Sequence, residues 1–325
     1  MIFRLAALGF GAFLLACVPV CARAAPRPVP AIQDVIVDAD AGDDIDDAFA
    51  IALVLHSPEL HVLGITTAFG DTALRARLVS LILQQAGRSD IPVAAGPVTL
   101  PRAPFTQARL AQRGPVRQWP DAVAFTLDQL RSHPAGSITL LALAPATNIG
   151  AMMARDPVAF RRLARVVMMG GAVRTGYGGG KVGPEYNFAS APDETRRLLA
   201  SGVPLSLLPV DSTEIPLGEL ARDRIFASGS GLTDMLALAT AQWAVKNHWG
   251  TTPVLFDVVP VAVLIDPSLC PMQPIRLTVG AGGMVHEGSG ARVSVCLVAR
   301  KRRILSLLAS RLEQAGRLDQ PSENP

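Results

Sequence analysis

Residues 35–48 read Val-Ile-Val-Asp-Ala-Asp-Ala-Gly-Asp-Asp-Ile-Asp-Asp-Ala. Val35 to Val37 is a compact β-branched run, the composition of a buried strand. It leads into six carboxylates within ten residues: Asp38, Asp40, Asp43, Asp44, Asp46 and Asp47. Ala48 to His56 is then continuously apolar, which predicts a buried helix. Strand, polar turn and helix make the opening unit of an α/β sheet, and such sheets place ligands at the carboxyl ends of their strands. Carboxylates this crowded raise one another's pKa unless a cation neutralises them. Acids without nearby thiols favour a hard, oxygen-seeking cation, Ca²⁺ or Mg²⁺. The loop is not an EF-hand, because Gly42 comes too early for a start at Asp38 and no glutamate closes the run.

The alternation continues on the C-terminal side. Strands are expected at His61–Phe69, Ile91–Ala95, Ser137–Ala144, Arg165–Met169 and Pro204–Val210. Helices are expected at Ala73–Ala86, Ala122–Arg131, Asn148–Arg155 and Pro192–Ser201, the last with proline in its first turn. Pro216–Asp266 reads as mainly helical, Arg276–Val298 as a pair of strands around a turn at His286–Gly290, and Lys301–Ala315 as a closing helix. Apolar strands alternating with helices predict an α/β fold, a mostly parallel central sheet with helices on both faces. The strand order is not readable. No internal repeat or strong linker interrupts residues 34–315, so residues 25–325 are expected to form a single domain.

The first 24 residues stand apart. Arg4 gives a positive start, Leu5–Val20 is apolar, and Ala22-Arg23-Ala24 fits a small-x-small cleavage site, so a secretory signal peptide cut before Ala25 is expected. The protein would then be periplasmic or secreted. Leu14-Leu15-Ala16-Cys17 loosely resembles a lipobox, which keeps a lipoprotein anchored at Cys17 as an alternative. An N-terminal membrane anchor is a third.

Of the whole chain's 30 basic and 27 acidic residues, removal of Arg4 and Arg23 leaves a formal charge of +1. No basic block suits nucleic acid. No later stretch has about 18 uninterrupted apolar residues, so no membrane association is expected beyond the leader. Cys270 and Cys296 remain after cleavage. They form no CxxC or Cys/His cluster, and whether they pair is open.

Six segments in register carry a resemblance. Asp38–Leu53 (DADAGDDIDDAFAIAL) resembles the DxDxGxDDAxAI signature of the inosine–uridine preferring nucleoside hydrolase family, with two extra residues after Gly42. His61–Asp71 (HVLGITTAFGD) is similar to that family's second strand, and Ala142–Gly150 (ALAPATNIG) to its LGPLTNIA segment. Val166–Ala172 (VVMMGGA) resembles its strand-end MGG. Pro184–Glu194 (PEYNFASAPDE) resembles AEFNxxxDPEA, and Phe256–Leu269 (FDVVPVAVLIDPSL) resembles HDPLAVAxLIDP. The likeness runs from about Asp34 to Leu269 and weakens beyond.

The resemblance implies a Rossmann-like nucleoside hydrolase fold and calcium-dependent hydrolysis of the N-glycosidic bond of ribonucleosides for salvage. Spacing from Ala48 to Asp71 aligns Asp46-Asp47 with the family's acid pair. Asp40, Asp47, the Thr147 carbonyl and Asp257 would then bind Ca²⁺, with two ribose hydroxyls and a water completing the shell. Asp40 would also orient and deprotonate that water. Asp46, Met169, Glu185 and Asn187 would line the ribose, and Asp71 stands at the family's Asn. A nucleoside is the implied partner; a homo-oligomer is compatible with the sequence, which does not set the oligomeric state.

Residue types alone allow other roles. Asp38 reads as structural, accepting backbone N–H bonds. Thr147 would also serve as a helix cap. Met168 reads as core, because strand side chains alternate and only one of Met168 and Met169 can face the site. Gly176 and Gly178–Gly180 before Lys181 fail the phosphate-loop pattern and read as a lid or pocket loop.

The chain also departs from the family. Gly179 replaces an Asn, residues 106–114 lack a His-Gly pair, and Phe256 replaces a His. A phenyl ring cannot protonate a leaving base, so His248 and Trp249 are candidates for a leaving-group pocket with Phe256, and substrates with good leaving groups are expected to be cleaved best. A non-catalytic, metal-dependent nucleoside- or ribose-binding protein of the same fold is the alternative these departures motivate. A metal-dependent phosphohydrolase fits less well, since no Lys or Arg lies in the acidic loop.

Overall fold

The strand at the head of the acidic run, β1 (Gln33–Ala39), turns through it into helix α1 (Asp46–Leu55). The structure is a computed structural model that describes residues 32–100, 104–247 and 250–318. The expected leader, Cys17, His248 and Trp249 lie outside the described residues.

The chain continues through β2 (Leu60–Thr67), α2 (Thr72–Gln85), β3 (Val93–Ala95), α3 (Ala108–Ala111), α4 (Ala122–Ser132), β4 (Ile138–Ala142), α5 (Thr147–Arg155), α6 (Pro157–Phe160) and β5 (Arg165–Met169). After these come α7 (Tyr186–Ser190), α8 (Pro192–Ala200), β6 (Leu205–Leu208), α9 (Val210–Thr213), α10 (Glu219–Phe226), α11 (Gly231–Lys246) and α12 (Val258–Ile265). The last elements are β7 (Met272–Val279), β8 (Val285–Glu287), β9 (Ala291–Cys296) and α13 (Lys301–Leu318).

The strands make one sheet in the order β3-β2-β1-β4-β5-β6-β9-β7-β8. Pairing is parallel from β3 through to β9; β7 pairs antiparallel with both β9 and β8. The chain moves outward from β1 through β2 to β3, then returns to the other side of β1 with β4. That reversal is a topological switch point, and it opens a crevice beyond the carboxyl ends of β1 and β4.

Side-chain alternation along β1 sends Val35, Val37 and Ala39 to one hydrophobic core and Ile36 to another. The first core includes residues of α1, α2, α11, α12 and α13, and the second includes residues of α4, α5, α6 and α8. Both faces of the sheet are therefore covered, which is why the strands read as near-continuous apolar runs.

The C-terminal region differs from expectation. The strands flanking the turn near Gly288 are β8 and β9, and they do not pair with each other. β7, which begins at Met272, lies between them. Within Pro216–Asp266, an isolated bridge between Pro216 and Val254 interrupts the helices. Cys270 and Cys296 form a disulfide with Cα atoms 5.8 Å apart. It ties the start of β7 to the end of β9, a pairing the topology makes near and sequence spacing alone does not show. No described helix is long and apolar enough to cross a membrane.

Candidate active site

The acidic run bends over the end of the sheet because Gly42 takes φ +129°, a conformation L side chains rarely adopt. A Cβ there would sit 2.6 Å from the Phe105 ring. The Gln107 amide and the Thr106 hydroxyl both donate to the Gly42 carbonyl, at 3.0 and 2.9 Å. Thr106 also reaches the Asp43 carbonyl at 2.7 Å, and Gln107 Nε2 the Asp44 carbonyl at 2.8 Å. The segment without the family's His-Gly pair thus clamps the enlarged loop.

Arg75 holds the loop from the other side. It is 2% exposed. Its Nη1 donates to the carbonyls of Asp40 and Ala41, its Nε to Phe69 at 2.8 Å, and its Nη2 to Asp43 Oδ2 at 2.6 Å. The guanidinium carbon lies 5.0 Å from the Phe105 ring centroid. Sequence reading missed this cation. The available signal was a charged residue on the stripe of α2 that Leu78, Val79 and Ile82 make apolar. Arg75 brings a cation to the acidic loop from outside it, but the guanidinium is spent on loop groups and does not line the cavity.

Asp46 and Asp47 open α1, and Asp257 is the N-cap residue of α12. One oxygen from each of these three buried carboxylates lies within 4.8 Å of the others. Two helix N-termini, each with a partial positive charge, therefore meet at the acid cluster. The Asp257 amide donates to Asp46 Oδ2 at 3.2 Å. Asp47 Oδ1 and Asp257 Oδ1 are buried with no hydrogen-bond partner. Orphaned carboxylate oxygens converging from two helices suit a hard divalent cation.

Burial, reinforced by mutual repulsion, holds Asp46, Asp47 and Asp257 well above the usual carboxylate range. Asp40 is buried beside them and is pushed up to about 7, chiefly by burial; Arg75 opposes the shift and Asp43 adds to it. Asp40 does not belong to the triad within 4.8 Å, although its charge acts on all three members.

Asp38 is held up to about 6 by burial, against hydrogen bonds from the Thr66 hydroxyl at 2.6 Å and Asn148 Nδ2 at 2.7 Å. Its donors are therefore side chains on β2 and α5, not the expected backbone N–H groups.

Above the acids lies a cavity of about 770 Å³, lined in part by Asp40, Asp44, Asp46, Asp47 and Asp257. Met169, Glu185, Asn187 and Phe256 also line it, whereas Met168 is buried in the core. Glu185 caps α7, accepting from the amides of Asn187 at 2.9 Å, Phe188 at 3.1 Å and Gly171 at 2.7 Å. Burial raises its carboxyl against those bonds. Gly171 is at φ +73°, and a Cβ there would crowd the Phe188 ring at 3.0 Å, so the MGG turn needs its glycine. Asn187 Nδ2 donates to the carbonyls of Leu143 and Met169, at 2.9 and 3.2 Å.

Two sequence candidates lie outside the cavity lining. Thr147 is the first residue of α5 and makes no side-chain cap. Asp71 is the N-cap of α2 and accepts from the Leu74 amide at 3.1 Å.

The glycine-rich segment is a docked pocket loop. Asp211 accepts the amides of Val173, Arg174 and Thr175, and Glu214 accepts that of Gly178 at 2.7 Å. The loop presents Tyr177 to the cavity, with its ring edge-on to Phe256 at 5.8 Å and its hydroxyl 3.5 Å from Glu185 Oε1. Tyr177, Tyr186, Trp243 and Glu214 are lining residues that the motifs did not single out as site residues.

The family described as inosine-uridine preferring nucleoside hydrolase matches the chain over residues 35–306. An uncharacterised protein of Schizosaccharomyces pombe is 34% identical over 55% of this chain and 61% of its own length. The pyrimidine-specific ribonucleoside hydrolase RihA of Citrobacter koseri is 31% identical over 72% of this chain and 80% of its own length. Among solved structures, a plant nucleoside hydrolase, PpNRh1, superposes with a TM-score of 0.77 at 23% identity, covering 87% of this chain and 99% of that one. A purine-preferring ribonucleoside hydrolase from Gardnerella vaginalis gives 0.74 at 23%, covering 88% and 100%.

The raised carboxyls make a prediction for stability. A folded-state pKa above the unfolded one means that the folded chain binds more protons, so metal-free stability is lost as pH rises through the folded values. Those values begin near 6 for Asp38 and about 7 for Asp40. In chelator, Tm should fall between pH 5 and pH 8, and added Ca²⁺ should raise Tm more at pH 8 than at pH 5. An equal Ca²⁺ effect at both pH values in a thermal melt contradicts this.

Proposed function

The chain belongs to the inosine-uridine preferring nucleoside hydrolase family, a family of enzymes acting on N-glycosyl bonds, and from that premise we propose that it hydrolyses pyrimidine ribonucleosides with Ca²⁺ bound at the acid cluster. The observation that carries the proposal is the convergence of Asp46, Asp47 and Asp257 at the floor of a cavity also lined by Asp40, Glu185 and Asn187. The choice of pyrimidine is supported by the names of relatives, RihA among them.

Asp47 and Asp257, with the orphaned oxygens, and Asp46 beside them would hold the cation; Asp40 and the Thr147 carbonyl are the further ligands that the family resemblance implies. When bound, Ca²⁺ would grip the ribose cis-diol and supply Lewis acidity toward water. Asp40, buried at the cavity lining beside the acid cluster, is placed to take a proton from the attacking water. Cleavage of the N-glycosidic bond builds positive charge on the sugar, and the surrounding carboxylates stabilise it. Glu185 and Asn187, locked by backbone hydrogen bonds, orient the ribose. Phe256 offers no proton, so the departing base must be protonated by solvent or by another group.

We also propose that the protein acts outside the cytoplasm in nucleoside salvage. The signal-like leader and the Cys270–Cys296 disulfide support export to an oxidising compartment. Intact mass of envelope-fraction protein should show a chain starting at Ala25 and lacking two thiol hydrogens. A retained Met1 with both thiols free contradicts export, and a lipid on Cys17 replaces it with the anchored form.

A base-release assay tests the activity. Asp40→Asn should lower kcat by about 10²–10⁴-fold, the usual scale for losing a general base, while Tm in chelator holds or rises because a buried charge is removed. p-Nitrophenyl riboside should be cleaved far better than uridine, and Phe256→His should improve uridine selectively. Unchanged turnover in Asp40→Asn contradicts the base assignment. Equal wild-type rates on the two substrates, with no selective gain in Phe256→His, contradict the role of Phe256.

A further inference from the structure

We propose that Tyr177 sets the specificity of the site for the sugar: its phenol hydroxyl and the Glu185 carboxylate together hold the 5′-hydroxyl of a ribonucleoside. The inference rests on the nucleoside-hydrolysing reading above.

A ribonucleoside has three free sugar hydroxyls, and the cis-diol at the cation accounts for two of them. Glu185 stands outside the carboxylate triad that would hold the cation, yet it lines the same cavity. The hydroxyl left for it is the 5′ one. Glu185 Oε2 is taken by the Gly171 and Phe188 amides, at 2.7 and 3.1 Å. Oε1 accepts the Asn187 amide at 2.9 Å, and its other close neighbour is the Tyr177 hydroxyl. A carboxylate oxygen accepts two bonds, so Oε1 can take a hydroxyl from the substrate.

The Tyr177 hydroxyl lies 3.5 Å from Glu185 Oε1 and accepts the Tyr186 amide at 3.3 Å. An O–H···O bond is normally about 2.7–2.8 Å long, so Glu185 holds the phenol proton only at the limit of bonding. A third oxygen about 2.8 Å from both atoms closes that gap. It accepts the phenol proton and donates its own to Glu185, which a primary hydroxyl does at once. In the free protein the phenol still points its proton at Glu185, so the exchange leaves neither group unpaired.

The loop keeps Tyr177 in place. Asp211 accepts three of its amides, those of Val173, Arg174 and Thr175, and Glu214 accepts that of Gly178. The Arg174 guanidinium pairs with both oxygens of Glu287, at 2.8 and 3.0 Å. The Gly180 amide returns to the Tyr177 carbonyl at 3.1 Å. Gly179 stands where the family has an Asn, and a Cβ there would meet nothing within 4 Å. Among residues 173–183, Tyr177 alone lines the cavity. The polar side chain that this loop offers the substrate is therefore the phenol.

In a β-nucleoside the base and the 5′-CH₂OH rise from the same face of the sugar. Tyr177 suits that arrangement. Its hydroxyl reaches Glu185, while its ring packs edge-on to Phe256 with centroids 5.8 Å apart, and Phe256 stands where the family has its His. One side chain thus borders both the 5′-hydroxyl and the side from which the base departs.

The test is kcat/KM of the Ca²⁺-loaded full chain for uridine, inosine and the 5′-deoxy form of each. Wild type should favour a parent nucleoside over its 5′-deoxy form by about tenfold or more, the scale of a hydrogen bond to a charged group. Tyr177→Phe keeps the ring against Phe256 and removes only the hydroxyl. It should slow the parent nucleoside by about three- to tenfold, the scale of a neutral hydrogen bond, and leave the 5′-deoxy form nearly unchanged. Tyr177→Leu should shrink the same preference. Each preference compares two substrates on one preparation, so loss of folded protein cancels, and either variant decides the matter if the other does not fold. Equal wild-type rates on parent and 5′-deoxy forms overturn the proposal, as does a variant that slows both forms alike or neither. Turnover of any of the four substrates leaves the hydrolase reading standing, whereas absence of sugar release from all four overturns both.

Discussion

The burial of several carboxylates at one end of the sheet is the constraint on which the site depends. Asp40, Asp46, Asp47 and Asp257 are each no more than 6% exposed. Taking a charged group out of water is costly unless it is paired, hydrogen-bonded or bound to a cation. The fold offsets part of that cost with two helix N-termini, from α1 and α12, and with the Asp257 amide on Asp46. What remains is carried as raised carboxyl pKa values and oxygens without partners. Both follow from an arrangement shaped for a positive charge.

Arg75 explains how the chain tolerates a loop with so many acids. Extra acids next to an existing cluster would ordinarily add repulsion. Here one of them, Asp43, is neutralised by a guanidinium that also binds the carbonyls of Phe69, Asp40 and Ala41. Thr106 and Gln107 take up the carbonyls of residues 42–44 from the opposite side. Acidic loop, buried arginine and the 106–107 segment act together: each satisfies groups that the others would leave exposed or unpaired.

Local signals in the sequence carried much of this. The β-branched run at 35–37, the apolar helix after the acids and the alternation that follows all reflect burial on both faces of a parallel sheet. Strand alternation correctly divided Met168 from Met169. Contacts between distant segments were illegible for a physical reason: they depend on topology, which pattern does not encode. The strand order, the place of β7 between β8 and β9, and the approach of Cys270 to Cys296 are of that kind. So is Arg75, whose partners in the acidic loop lie more than 30 residues away along the chain. Thr147 and Asp71 matched motif positions, yet the structure puts them in the first turn and at the cap of helices, outside the cavity lining.

A cluster of this kind should bind one divalent cation and give up protons in doing so. Calorimetric titration of Ca²⁺ into chelator-stripped protein at pH 7, in two buffers of different ionisation enthalpy, measures stoichiometry and proton release together. One Ca²⁺ should bind per chain, with protons released because carboxyls held above their usual range must ionise to bind it. Absence of binding, or binding with the same heat in both buffers, would contradict it.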